Sequence, residues 1–139
     1  MRAAGAGHLA GKVLVDVSNA LDHTHMPPTL SVCNTDSLGE QLQRELPDTK
    51  VVKALNTMNA RVMVDPSRVP GEHNVFICGD DENAKATVRE ILSSFGWPDG
   101  SIIDLGPISS ARGTEMYVAL WLRLWGTVGG PDFNIRLVH

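Results

Sequence analysis

The residues predict an α/β fold, a mostly parallel sheet flanked by helices, and three observations carry that prediction. Short, nearly continuous apolar runs, KVLVDV at 12–17 and VVKAL at 51–55, have the make-up of strands covered on both faces. Between and after them lie stretches whose apolar residues recur at helical spacing. A strand, a helix and a second strand follow one another within residues 12–55, an order that normally gives parallel strands joined by a right-handed crossover.

Taken in order, residues 1–11 (MRAAGAGHLAG) are small and expected to form a flexible leader. Gly5, Gly7 and Ala10 match the letters of the dinucleotide fingerprint, G-x-G-x-x-G/A. That fingerprint works only after a strand and at the start of a helix, and these glycines precede a strand, so they read as a connecting turn. Residues 12–17 form the first strand. A loop with Pro27 and Pro28 follows, whose His23 and His25 are expected to be solvated. From Thr35 the pattern is helical: Ser37 and Glu40 have capping-box spacing, Leu38, Leu42 and Leu46 share a face, and Pro47 is the stop. The strand at 51–55 comes next, then irregular chain to residue 73.

NVFIC at 74–78 reads as the third strand. Asp80 and Asp81 sit where they would cap the following helix and complement its dipole. Ala84, Val88, Ile91, Leu92 and Phe95 make that helix's apolar face, with Gly96 as its C-cap. SIIDL at 101–105 is a fourth strand, and a helix runs from about 110 to 125. Within it, residues 116–125 are apolar on every side except at Arg123, which predicts a homodimer interface using Trp121 and Trp125. Arg112 and Glu115, three apart, are expected to pair with each other. After a break at 126–131, FNIRLV alternates weakly and predicts a final strand.

Composition narrows the function. At 139 residues the chain is one domain, 42% hydrophobic and 20% charged, as expected of a globular protein. Twelve basic and sixteen acidic residues give a net charge of −4, with the basic ones scattered; this pattern argues against nucleic acid or an anionic membrane as a partner. Cys33 and Cys78 are too few and too far apart for a disulfide framework or a metal knuckle, and they suit a reducing cytoplasm. No basic stretch followed by an apolar one marks a signal peptide.

The candidate site lies where strands end. Ser18 and Asn19 close the first strand, and Asn56, Thr57 and Met58 follow the second. Open α/β sheets bind ligands at the carboxyl ends of their strands, so two such ends side by side would form a crevice lined with hydrogen-bonding groups. The same residue types also suit turns and helix caps. No Ser-His-Asp, Cys-His or paired-carboxylate arrangement points to hydrolysis.

KVLVDVSNAL, TDSLGEQLQ, VVKALNTMNA, VFICGDDENAK, IDLGPISSARGTE and the closing FNIRLV, in this order, resemble the carboxyl-terminal two-thirds of the NADP oxidoreductases that depend on coenzyme F420. The nucleotide-binding domain of STEAP-type metalloreductases is a more distant likeness. The resemblance runs from Lys12 to the end and implies a Rossmann-like domain at 12–139, incomplete at its N-terminus. It further implies NADP(H) and a second cofactor, coenzyme F420 or a flavin, with hydride passing between two rings. Ser18, Asn19, Asn56, Thr57 and Met58 are the residues it assigns to cofactor binding. Some F420-dependent members carry His where this chain has Asn56, while the STEAP-type pattern has Asn, so both second cofactors stay open. Without the strand and glycine loop that open such domains, the chain could instead be a non-catalytic half-domain acting through oligomerisation, its first strand an exposed edge.

Overall fold

Period-two alternation inside the apolar runs decides which way each strand residue points, and so how the layers assemble. The computed structural model describes residues 5–24 and 26–138. The chain runs through α1 (Ala6–Leu9), β1 (Val13–Asp16), β2 (Leu21–Asp22), β3 (Thr29–Leu30), α2 (Leu38–Glu45), β4 (Lys50–Ala54), α3 (Ala60–Val64), β5 (Val75–Gly79), α4 (Glu82–Ser94), β6 (Ile102–Asp104) and α5 (Ala111–Val128). The strand order is β1-β4-β5-β6, with β2 and β3 forming a separate two-residue ladder in the loop expected at 20–34. His25 of that loop lies outside the described residues.

β1 pairs parallel with β4, and β5 parallel with β6, as an α/β fold with a mostly parallel sheet requires. The joint between β4 and β5 is antiparallel. The connection between them carries only the five-residue α3 and turns, so the chain doubles back at the same edge of the sheet instead of crossing its face. Gly79 makes the joint possible: a Cβ there would stand 2.8 Å from the carbonyl oxygen of Val51.

On one face Val52, Ala54, Val75 and Ile77 meet Ala84, Val88 and Leu92 of α4, with Val62 and Trp97 closing the cluster. Ile91, expected on this apolar face, lies at its exposed rim. The expected caps form at Ser37, Asp81 and Gly96, while Asp80 Oδ1 instead accepts from the backbone N–H of Ile108 (2.9 Å). Ser37 Oγ accepts from the backbone N–H of Glu40 (3.1 Å), Asp81 Oδ1 accepts from that of Ala84 (2.8 Å), and Gly96 takes a φ of +98° after α4. α2 and α5 cover the opposite face. No helix among the described residues is long and apolar enough to cross a membrane.

Three expectations are corrected. FNIRLV forms no strand: Asn74 takes the place of a ladder, its side-chain Oδ1 accepting from Leu137 N–H (2.7 Å) while its backbone N–H donates to the Ile135 carbonyl (2.9 Å). Trp121 is not left for a partner subunit, because Phe133 of the returning tail stacks on it at 5.4 Å and only 9% of it stays exposed. Arg112 and Glu115 do not pair. Arg112 makes a bidentate bond to Glu40 on α2 (2.8 and 2.6 Å), and Glu115 turns inward to Lys53.

The bond from Arg112 holds the Glu40 carboxyl below its ordinary 4.5. A carboxylate lowered in the fold stabilises it fully above the unfolded value and loses that contribution as pH falls through the lowered one. Arg112→Met should therefore destabilise the fold modestly at neutral pH, Arg112 being more than a third exposed, with the deficit shrinking as pH falls below the carboxyl's ordinary value. Thermal melts of both proteins across that range check it.

Candidate functional site

Because β1 and β4 pair with Asp16 opposite Lys53, the residues just beyond them emerge together at one edge of the sheet. Leu55 is the first residue past β4 and adopts a φ of +65°, a left-handed conformation that costs a non-glycine residue on the order of 1–2 kcal/mol. That turn sets Asn56 against Asn19. Asn19 Nδ2 donates to the Asn56 carbonyl at 2.8 Å, and Asn56 Nδ2 donates to Asn19 Oδ1 at 3.0 Å. The two strand tips expected to share a crevice are thus bonded to each other in both directions.

Capping does not account for these residues, since the cap of α3 is Asn59, whose Oδ1 accepts from Arg61 N–H at 3.0 Å. Asn56 and Thr57 are both more than nine-tenths buried, and Asn56 Oδ1 and Thr57 Oγ1 have no partner among the described residues. An unmet acceptor and hydroxyl, buried on consecutive residues, are costly unless a ligand or water completes them. Ser18 differs: its hydroxyl and N–H both donate to Asp16 Oδ1, at 2.6 and 2.9 Å. Met58 buries its side chain in the core with Val62 and Trp97, forming a floor instead of a polar contact.

Beside Thr57 lies an apolar slot of about 220 Å³, walled by Phe76, Leu105, Thr114, Tyr117 and Ile135. Burial raises the Tyr117 phenol above its ordinary value, so it stays neutral at physiological pH. A larger cavity, about 510 Å³, lies elsewhere, around His73 and Trp97. Its buried polar groups are already matched: His73 Nε2 bonds the Pro66 carbonyl (3.0 Å) and Trp97 Nε1 donates to that of Met63 (2.9 Å). We therefore place the candidate site at the strand tips. Cys78 offers no thiol chemistry, burial pushing its pKa up to about 12.

Sequence reasoning missed a buried ionic cluster behind the crossing. Lys53 points away from Val52 and Ala54, toward α5, and its Nζ lies 2.7 Å from Asp16 Oδ2, 2.7 Å from the Ser18 carbonyl and 2.7 Å from Glu115 Oε1. Glu115 also accepts from the backbone N–H groups of Leu38 (2.9 Å) and Gly39 (3.1 Å), occupying the amino end of α2 with an internal anion. Gly39 permits this approach: a Cβ there would meet Ala111 Cβ at 3.1 Å. The overlooked signal was a charge of opposite sign inside each of two mostly apolar strands, Asp16 in β1 and Lys53 in β4.

No family model matches the chain. A crystal structure from Arthrobacter sp. FB24, provisionally designated an F420-dependent NADP reductase, superposes on 99% of this chain with a TM-score of 0.95 and 55% identity. A hypothetical protein of Sinorhizobium meliloti superposes on 73% of it, with a TM-score of 0.57 and 31% identity. Metalloreductase STEAP3 of Rattus norvegicus is 35% identical over 120 residues, 86% of this chain. The chain spans 62%, 48% and 22% of these proteins respectively. The similarity to F420-dependent NADP reductases, and the more distant one to a STEAP-type metalloreductase, is as the motifs implied. It supports a Rossmann-like α/β fold.

Proposed function

We propose that residues 12–139 form the nicotinamide-facing part of an NADP(H)-dependent oxidoreductase that passes a hydride between nicotinamide and a deazaflavin, coenzyme F420, or a flavin. The observation that carries this reading is the Asn19–Asn56 crossing, with an unmet acceptor on Asn56 and an unmet hydroxyl on Thr57 at the carboxyl end of a parallel strand pair. A carboxamide has the complementary groups: its N–H can donate to Asn56 Oδ1 and its carbonyl can accept from Thr57 Oγ1. Asn19 orients Asn56, the Ser18 backbone flanks the opening, and Met58 supports the floor.

The nicotinamide supplies the hydride chemistry when bound. What the protein adds is position and dryness. Direct transfer needs ring atoms held about 3–3.5 Å apart with water excluded, and no general acid or base. The apolar slot beside Thr57 suits the flat face of a second ring. In the same reading the chain acts in the cytoplasm as a homodimer through the outer side of α5, where Met116, Leu120, Trp125 and Val128 are exposed.

Titrating the full chain with NADPH by fluorescence tests the proposal. Saturable binding is expected, weakened about tenfold or more by Asn56→Leu, which leaves the ligand's donor unpaired. An absence of binding at millimolar NADPH overturns it in favour of a non-catalytic half-domain.

A further inference from the structure

Lys53 is 1% exposed, and the proposed hydride transfer makes no use of its charge. Its three N–H groups are all spent, on Asp16, on the Ser18 carbonyl and on Glu115. From its place on β4, Lys53 thus joins three elements: β4 itself, the end of β1 with the turn that leads to Asn19, and α5 two residues before Tyr117. Glu115 carries the linkage to a fourth, the first turn of α2, whose amide dipoles compensate the second carboxylate. Where rigidity alone is needed, packed apolar side chains usually serve as well as a buried ion cluster. What an ammonium adds is direction, three donors at fixed angles holding three elements at once.

We infer that Lys53 is a positioning residue: by holding the Ser18 carbonyl and the Glu115 carboxylate on one nitrogen, it keeps Asn19 in register with Asn56 and sets the α5 wall of the slot against both. The effect on reaction rate rests on the proposed function above; the mechanical coupling rests on the contacts alone.

Glu115→Gln in the full chain tests it, since the amide keeps the shape but weakens the pull on Lys53. In ¹⁵N-labelled protein the side-chain amides of Asn19 and Asn56 report the crossing. That of Asn134, bonded to the Asn74 carbonyl at 2.9 Å, reports general loosening. Solvent exchange at Asn19 and Asn56 should rise about tenfold with Asn134 unchanged. In protein that binds NADPH, affinity should stay within about threefold while single-turnover hydride transfer slows by about tenfold or more. Unchanged exchange at Asn19 and Asn56, or an equal rise at Asn134, overturns the inference. Should Glu115→Gln fail to fold, the uncharged triple variant Asp16→Asn, Lys53→Met, Glu115→Gln is read the same way. Failure of the wild type to bind NADPH removes the cofactor reading and leaves the exchange result to decide the coupling.

Discussion

Lys53→Met should lower the stability of the fold by about 3–5 kcal/mol, the cost of leaving buried charges without their partner. The lysine side chain is fully enclosed, and the carboxylates of Asp16 and Glu115 are nearly so. Methionine fills most of the space, so the loss is electrostatic: two carboxylates face one another where water cannot screen them. Lys53 also donates to the Ser18 carbonyl, which loses that partner too. For a chain of this size the loss corresponds to a fall of roughly 10–20 °C in melting temperature. Adding Asp16→Asn and Glu115→Gln to the same variant should restore much of it, because the cost lies in the orphaned charge and not in the absent bond. A single-variant loss below about 1 kcal/mol would mean that water or a proton reaches these carboxylates easily.

Trp97→Ala is the second large effect, also expected at about 3–5 kcal/mol. Trp97 is 2% exposed, packs among Val62, Val88 and Leu92, and meets His73 edge-on at 5.1 Å. Its Nε1 donates to the Met63 carbonyl, tying the chain after α4 to α3. Alanine removes the ring and leaves that carbonyl unmet, so a cavity and an orphaned acceptor add together. Trp97→Phe keeps most of the apolar volume and should recover more than half of the loss. Urea unfolding of the three proteins, with the midpoint shifting at constant slope, is the measurement. Equal losses for Ala and Phe would assign the effect to the hydrogen bond alone.

Several parts of this architecture are readable from residues because local chemistry determines them. The strands at 12–17 and 51–55, the Ser37 and Asp81 caps and the Gly96 terminus each rest on side chains within a few positions of one another. The meeting of Asn19 and Asn56 is readable one step further out, since a β-α-β unit places the ends of its parallel strands together. Strand direction is less accessible: an apolar run at 74–78 looks the same either way up, so the antiparallel joint had no signature.

Pairings between distant residues were the main loss. Arg112 and Glu115 have the spacing of an ion pair, yet α5 packs beside α2 on one face of the sheet, and each side chain found a stronger partner across that packing. Lys53 has no partner within reach of a local pattern, because Glu115 comes far later in the chain. Trp121 looked available to a second subunit because Phe133, which covers it, follows a run of turn residues.

The antiparallel joint also bears on how such a fold can diversify. Because β5 runs against β4, the opening is rimmed by strand endings on one side and by strand beginnings on the other. The loops that feed those beginnings, at 65–74 and 98–101, can lengthen or change composition without disturbing the reciprocal asparagine bonds. The asparagine crossing and the loops on the other rim thus become separable traits, one free to drift while the other is held.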